Sequence, residues 1–448
     1  MGDNGELGEL VEEDEIELPE QFMLRRHERE QKRRAAIGRF IDEKETETVS
    51  VIEPRYYGEL LAWALQRHID VEEWKVLKAI GYQYPEPFYI DVNTGSGECQ
   101  NVLRDGTLFV EKQGKRLAVT VDANLRGYNS IIMTGPAHLR EKVHEFANSV
   151  QSIVKEQNFY RGKNLELSAR VRFLDVPAKT WDGIILDQDT KDEIQANTIG
   201  FLANRERLAG YGIPAKRGVL LIGKPGTGKT LVCKALMAGS PGTTCIMAHN
   251  YALAEDEYIT QLYELAQDLS PCIVFIEDID LIAQDRVAWG YTRGPALLSL
   301  LAVLDGIEEC HEIVTVATTN HLETLDKAIG QRPSRFDRII EIPCPSLEQR
   351  KEFISSLCHK IPLDDDIQAC IARKTDGFTP AQIQEVLYSL AIRHGQAEQS
   401  DEPGCLKVNT EQVNGAISRI NGRSKHKIGF PIRDNHHGEY VGARMETQ

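Results

Sequence analysis

Two short stretches of the sequence contain residues whose types and spacing suit phosphate chemistry. The first, GVLLIGKPGTGKT (218–230), places a glycine-rich turn between an apolar strand and the helical pattern LVCKALMAG. The spacing GxxxxGK[ST] in this context is a phosphate-binding loop, in which backbone N–H groups surround phosphate oxygens at a helix N-terminus. A turn that merely joins strand to helix would not require the Lys-Thr pair. We predict that Lys229 reaches the β- and γ-phosphates and that Thr230 binds Mg²⁺.

The second stretch, CIVFIEDID (272–280), is an apolar run that ends in acids. An acid at the end of a buried strand beside a phosphate-binding loop serves to hold the Mg²⁺ shell, and we assign this role to Glu277. Asp278 is predicted to polarise the attacking water, and Asp280 to cap the following helix. The run EIVTVATTN (312–320) is predicted as another buried strand, and Asn320 at its end as a hydrogen-bonding partner of the γ-phosphate or the water.

A pair of arginines follows in LDKAIGQRPSRFDR (325–338). Arg335 and Arg338 lie three residues apart, and two guanidinium groups at a fixed spacing suit bidentate binding of an anion. They could equally be surface arginines paired with Asp337 or with other nearby acids. The spacing alone leaves both interpretations open.

Composition restricts the class of protein. The chain has 448 residues and a formal charge of −16, and it lacks the run of about 18 apolar residues that a membrane span needs. Its first 20 residues are acidic and lack a secretion signal, and its nine cysteines form no CxxC pair. We therefore expect a cytoplasmic protein with reduced cysteines, protein partners and no membrane span, and we consider nucleic-acid binding unlikely.

The pattern along the chain predicts a distinct N-terminal domain. Residues 1–45 form a charged segment that is expected to be a disordered tail. Residues 46–176 are predicted as a mixed α+β domain, which begins with two helices capped between them by Asp70. Strands follow, with a hairpin turn at Gln113-Gly114, then a helix and a last extended pair, LELSARVRFLDVP.

Together these motifs resemble the classical branch of the AAA family, the ATPases associated with diverse cellular activities. TWDGIILDQDTKDEI (180–194) is similar to the leading segment of that family, and the two stretches above to its Walker A and Walker B motifs. ATTNHLETLDKAIGQRPSRFDR (317–338) resembles its second region of homology. The resemblance implies ATP and Mg²⁺ as cofactors and a homo-oligomeric, usually hexameric, ring. Asn320 would be the first sensor, while Arg335 and Arg338 would enter the ATP site of the neighbouring subunit.

The resemblance also implies the fold. We expect an α/β fold with a P-loop AAA+ parallel sheet flanked by helices at 177–344, a helical lid at 345–424 and a C-terminal tail at 425–448, behind the N-terminal mixed α+β domain. DGFTPAQI stands where the family has a Gly-Ala-Asp turn near adenine, and only Ala381 matches that trio. The residues expected to contact the nucleotide are Gly183, Ile185, Gly223, Lys224, Pro225, Gly226, Thr227, Gly228, Lys229, Thr230, Leu231 and Ala381.

Within the family, FLANRERLAGYGIPAKRGVLLIG and the Glu-Asp order of the acids look most like the branch of the mitochondrial AAA translocase for the Rieske protein. RFDR follows the wider family instead. The swapped order moves each carboxylate by about 1.5 Å, roughly one C–C bond. A misplacement of this size costs on the order of 100-fold in rate if nothing compensates.

Two functions remain open at this point. The first is a ring ATPase that remodels, translocates or disassembles protein complexes bound by its N-terminal domain, as substrate or through an adaptor. The alternative is an ATP-dependent oligomeric switch or scaffold with little hydrolysis.

Tyr251 is the sole aromatic candidate for a pore loop and is predicted to pack internally, whereas VAWGYTRG (287–294) either lines a pore or connects two helices. The absence of HExxH excludes an attached zinc protease of that type.

Overall fold

The computed structural model describes most of the chain between residues 19 and 425. Its described residues are 19–95, 97, 99–123, 128–168, 170–177, 181–214, 216–248, 256–280, 300, 312–320, 336–394 and 406–425. They group into two compact units: one is formed by the described residues within 1–180, 193–221 and 233–339, and the other by those within 181–192, 222–232 and 340–448. The α/β fold with a parallel sheet and flanking helices is confirmed.

The first unit begins with a six-stranded antiparallel sheet. Its strands are β1 (Thr46–Pro54), β2 (Lys75–Ile80), β3 (Phe88–Asn93), β4 (Cys99–Lys112), β5 (Lys115–Ala123) and β6 (Tyr128–Pro136). The order is β1-β6-β5-β4-β2, with β3 also paired to the long β4. Gln113 and Gly114 connect β4 to β5 with φ values of 51° and 75°, so the predicted hairpin turn is confirmed.

Three helices pack on this sheet: α1 (Pro19–Ile41), α2 (Gly58–Val71) and α3 (Arg140–Glu156). The prediction of a disordered tail up to residue 45 is wrong for residues 19–41, because they form α1. Ile37 and Ile41 of this helix are buried against Phe109 and Ala118 of the sheet. These apolar residues are too few among charges to reveal a buried face in the sequence.

The predicted second helix after Asp70 is also wrong. Glu73 adopts a φ of 55°, which ends the helical path, and the chain continues as β2, paired to β4. The carboxylate of Asp70 accepts hydrogen bonds from Gln66 and Gln100 rather than capping a helix. In a sheet, β2 obtains backbone hydrogen bonds from a partner strand distant in sequence, which local periodicity does not show.

The glycine-rich loop, the acids and Asn320 each follow a strand of a second sheet, which has seven strands among the described residues. Its strands are β7 (Asn164–Leu167), β8 (Val171–Phe173), β9 (Lys216–Ile222), β10 (Thr244–Ala248), β11 (Cys272–Ile276), β12 (Ile313–Thr319) and β13 (Arg338–Glu341). The order is β13-β9-β12-β11-β10-β7-β8, and β7, β10, β11 and β12 run parallel in succession. Every residue of β10, β11 and β12 is buried, which fits their sequences of apolar residues and threonine.

The strands β7 and β8 extend this second sheet beyond β10. The sequence pattern groups them with the N-terminal domain that ends at residue 176, but β7 pairs with β10, and β8 pairs with β7. The backbone N–H of Cys245 donates to the carbonyl of Lys163, and the N–H of Gly162 donates to Thr244 Oγ1. The N-terminal region and the second sheet are therefore joined by β-sheet pairing as well as by the chain.

Four short or medium helices accompany the second sheet among the described residues: α5 (Ile199–Ala203), α6 (Arg205–Gly210), α7 (Lys229–Ala238) and α8 (Asp256–Asp268). They follow α4 (Gln188–Ala196). Among the helices that the structure describes, none is both long and apolar enough to cross a lipid bilayer.

The second compact unit contains four C-terminal helices around one apolar core. They are α9 (Leu347–Cys358), α10 (Asp365–Lys374), α11 (Pro380–His394) and α12 (Thr410–Lys425). Ile354, Ile371, Leu387 and Val413, one from each helix, are fully buried in this core. The helical segments predicted after residue 345 are thus present.

Three of these helices begin with the same sequence signature. In each, the backbone N–H of the capping residue donates to the side-chain oxygen of a glutamine three residues later, and the backbone N–H of that glutamine donates to the side-chain oxygen of the capping residue. The capping residues are Ser346, Thr379 and Asn409. This reciprocal pattern is the capping box, which satisfies N–H groups that the first helical turn leaves unpaired. The helix starts are therefore encoded locally.

The N-terminal sheet also meets α8 through a pair of acids. Burial raises the pKa of Glu53 on β1, and the nearby Asp268 carboxylate at the end of α8 raises it further. Burial likewise raises the pKa of Asp268, and the side-chain hydrogen bond with Tyr57 and the charges of Arg161 and Lys155 offset part of this increase. The carboxylates of Glu53 and Asp268 therefore repel each other in a partly buried site.

We expect Glu53→Gln to stabilise the protein at neutral pH. A carboxyl whose folded-state pKa lies above its ordinary value of 4.5 destabilises the fold as the pH rises from 4.5 through the folded-state pKa. The variant should melt about 1–2 °C higher than the wild type at pH 7.5 and converge with it near pH 4.5. Thermal unfolding across this range measures the difference, with exposed Glu86→Gln as control. Parallel curves for wild type and variant would contradict the prediction.

Candidate functional site

The glycine-rich loop after β9 has the geometry of a phosphate cradle. Lys229 is 6% exposed, and its ammonium donates to the carbonyl oxygen of Gly223 at 2.7 Å and to that of Lys224 at 3.3 Å. Thr227 Oγ1 also donates to the carbonyl of Lys224, at 2.9 Å. The charged end of Lys229 therefore lies inside the loop, while Thr230 is exposed at the start of α7.

Two glycines of the loop adopt conformations that other residues avoid. Gly226 has a φ of 83° and Gly228 a φ of 103°. A Cβ atom on Gly226 would lie 2.8 Å from the Cβ of Ala381 and 3.0 Å from Thr379 Oγ1. Left-handed backbone and lack of space thus both require glycine at 226.

Ala381 lies against this loop. Its backbone N–H donates to the carbonyl oxygen of Gly226 at 3.3 Å, at the start of α11. Ala381, the one residue that matches the Gly-Ala-Asp turn of the family, is therefore next to the phosphate-binding loop. Its contact with adenine stays a prediction.

The leading segment forms a short turn before α4. Residues Trp181–Gly183 make one turn of 3₁₀-helix, with Gly183 exposed and Ile185 half-buried. Asp187 caps α4 by accepting from the N–H and the hydroxyl of Thr190, and the hydrogen bond from that N–H is the main reason why the pKa of Asp187 is lowered. The predicted nucleotide contacts of Gly183 and Ile185 stay predictions.

The acids after β11 and the polar residue after β12 meet at one edge of the sheet. The last registered pair of these parallel strands is Ile276 with Ala317, so the residues that follow leave the sheet side by side. Asn320 Nδ2 donates to Asp278 Oδ1 at 2.9 Å. The structure thus brings together the predicted water-polarising acid and the predicted sensor.

The conformation of Asp278 is unusual. Its φ is 49°, in the left-handed region, and its backbone N–H donates to Thr318 Oγ1 at 3.0 Å. Thr318 is 2% exposed, so this hydroxyl is a buried acceptor. The sequence offers no sign of this conformation.

Asp280 has a different role from the predicted helix cap. Its buried carboxylate accepts from Thr319 Oγ1 at 2.9 Å and from the backbone N–H of Asn320 at 3.3 Å. It therefore holds the segment that carries the sensor. The cluster of three acids within four residues was the only signal in the sequence, and it did not distinguish this role from capping.

Glu277 is suited to bind a cation. Its Oε1 is buried and has no hydrogen-bond partner among the described residues. A buried carboxylate oxygen without a partner is costly unless a positive charge compensates it. Carboxylate oxygens are the ligands that Mg²⁺ prefers, so this residue fits the predicted metal role.

The arginine segment is partly described. Arg338 pairs with Glu193 of α4 through its guanidinium group, and Asp337 Oδ2 accepts from the N–H of Gly218 at 2.7 Å. Arg338 is thus paired with an acid distant in sequence rather than with Asp337. Arg335 lies outside the described residues, as do Tyr251 and the segment 287–294.

Comparison with known proteins is consistent with this geometry. Residues 219–344 match the family model described as ATPase family associated with various cellular activities (AAA). The chain is 40% identical over 209 residues to the proteasome-activating nucleotidase of Sulfurisphaera tokodaii, covering 44% of this chain and 53% of that protein. It is 35% identical over 244 residues to the ATP-dependent zinc metalloprotease FtsH of Acidothermus cellulolyticus, covering 52% and 35%.

A third relative is the ATP-dependent zinc metalloprotease FTSH 11, chloroplastic/mitochondrial, of Arabidopsis thaliana. It is 31% identical over 265 residues, which cover 57% of this chain and 32% of that protein. The chain therefore spans about a third to a half of the length of these relatives. The similarity to the translocase branch stays a prediction.

We expect Gly226→Ala to weaken nucleotide binding by about 10-fold or more, because a left-handed alanine costs about 1–2 kcal/mol and its Cβ would press on Ala381. Titration of a fluorescent ATP analogue measures the effect. Gly38→Ala in α1, where an added Cβ meets nothing within 4 Å, is the matched control. Equal affinities of the two variants would show that the loop does not need glycine at 226.

Proposed function

Because the chain carries an AAA ATPase domain, we propose that it binds ATP with Mg²⁺, hydrolyses it to ADP and phosphate, and uses the cycle to remodel protein complexes. The observation that supports hydrolysis best is the hydrogen bond of 2.9 Å between Asn320 and Asp278. A base and a polarising amide at the ends of adjacent strands are the groups that an attacking water needs.

Each site residue has a part in this proposal. The Lys229 ammonium binds the β- and γ-phosphates within the loop whose carbonyls it now contacts. Asp278 accepts the proton of the attacking water, and Asn320 orients the water or the γ-phosphate. Thr230 and Glu277 would hold Mg²⁺, which neutralises phosphate charge.

The assembly is proposed from the resemblance and from the relatives. A homo-oligomeric ring, six subunits being usual for the family, would let Arg335 and Arg338 reach a neighbouring ATP site. The names of the relatives, a proteasome-activating nucleotidase and ATP-dependent proteases, support action on proteins. The N-terminal domain proposed at 46–176 would bind the protein substrate or an adaptor, and a cytoplasmic location stays a prediction.

We expect Asp278→Asn to lower ATP turnover by about 100-fold or more, because an amide cannot accept the proton of water. Its affinity for ATP should stay within about 3-fold of the wild type, since ground-state binding does not use the base. Phosphate release and binding of a fluorescent ATP analogue measure the two quantities. Asp366→Asn, at an exposed position of α10, is the control.

Mixing two inactive variants tests whether two neighbouring subunits contribute residues to one ATP site. Arg335→Ala lacks the arginine and Asp278→Asn lacks the base, so each alone should be inactive. In a mixed ring, an Arg335→Ala subunit beside an Asp278→Asn subunit has both groups, and random mixing should restore about a quarter of the sites. No recovery on mixing would contradict sharing in trans. Negligible wild-type turnover despite ATP binding would support the nucleotide switch instead.

A further inference from the structure

We propose that Thr318 is a positioning residue for Asp278, and that it keeps the backbone of this acid in the left-handed conformation that makes the Glu-Asp order competent for hydrolysis. The inference rests on the proposed function and deepens it. Its evidence is the set of contacts around residues 278 and 318, which lie outside the described nucleotide loop.

The contact replaces a missing hydrogen bond of the sheet. The register between β11 and β12 ends with Ile276 opposite Ala317. Beyond that point the N–H of Asp278 donates to the side chain of Thr318 at 3.0 Å instead of to a strand carbonyl. Since Thr318 is 2% exposed, water does not compete well for this hydroxyl. The Thr318 side chain therefore decides where the backbone of Asp278 turns.

The left-handed backbone suits an aspartate as the second acid. Aspartate and asparagine tolerate a positive φ better than other non-glycine residues, whereas a longer side chain such as glutamate is disfavoured there. At a φ of 49°, residue 278 therefore favours Asp over Glu. A positive φ also gives the Cα–Cβ bond of Asp278 a different direction from that of an extended residue, so the shorter side chain starts from a different position.

The neighbours of Thr318 complete a clamp on the acidic segment. Asn320 Nδ2 holds the carboxylate of Asp278, and Thr319 Oγ1 together with the N–H of Asn320 bonds to Asp280. The last two residues of β12 and the residue that follows them thus each contact residue 278 or 280. Thr318 acts on the backbone of the base and Asn320 on its carboxylate, so the two constraints are separate.

The first experiment removes the hydroxyl of Thr318, which accepts from the N–H of Asp278, without changing the shape of the side chain. Thr318→Val should lower kcat by about 10-fold or more while KM and ATP affinity stay within about 2-fold, because only the aim of the base changes. Thr318→Ser, which keeps the hydroxyl, should restore most of kcat. A merely structural role would not separate kcat from KM or respond to the hydroxyl alone.

The matched control is Thr315→Val in the same strand. Thr315 is also buried, at 3% exposed, but its hydroxyl bonds to the hydroxyl of Tyr263 and not to an acid. This variant should keep the wild-type kcat even where its thermal midpoint falls. A Thr318→Val enzyme with wild-type kcat, or a Thr318→Ser enzyme as slow as Thr318→Val, would overturn the proposal.

The second experiment tests the left-handed backbone without any catalysis. Asp278→Gly and Asp278→Ala both remove the carboxylate, but only glycine accepts a positive φ freely. The glycine variant should melt roughly 2–4 °C above the alanine variant. The opposite order, normal for an ordinary backbone, would overturn the proposed conformation. This readout remains valid if the wild type shows no turnover, in which case the proposed function fails and the geometry is still tested.

Discussion

The parallel pairing of β11 with β12 is the constraint on which the rest of the site depends. It ends both strands at the same edge of the sheet, so Asp278 and Asn320, the proposed base and sensor, are joined by a hydrogen bond of 2.9 Å although 41 residues separate them in the sequence. Both strands are completely buried, so a shift of register would move their apolar side chains out of their packed positions and cost free energy. The accuracy of the site therefore derives from the packing of the sheet.

The second compact unit shows how a loop obtains its shape from distant helices. Gly223 lies against the carbonyl of Ile342, and Gly226 against Thr379 and Ala381 at the start of α11. The capping boxes determine where these helices begin, and the start of α11 in turn limits the space beside the loop. Local signals and tertiary contacts thus act on the same few residues.

The three acids after β11 differ in their hydrogen-bond partners. Asp280 is satisfied by two hydrogen bonds and is structural, whereas Glu277 keeps a buried oxygen without a partner among the described residues. Asp278 lies between them and is held at both its backbone and its carboxylate. Neighbouring acids of similar chemistry therefore have different surroundings, as the different roles proposed for them require.

By itself, the sequence determined the glycine-rich loop, the acid-bearing strand, the buried strand that precedes Asn320, the hairpin at Gln113-Gly114 and the C-terminal helices. These follow from local spacing, from β-branched runs and from capping residues. Only the tertiary structure decided that β2 is a strand, that α1 packs on the first sheet and that β7 joins β10. It also decided that Thr318 accepts from the backbone of Asp278 and that Asp280 holds the segment that carries Asn320. The physical reason is that their partners are remote in sequence, and hydrogen bonds between remote segments leave no periodic trace in either one.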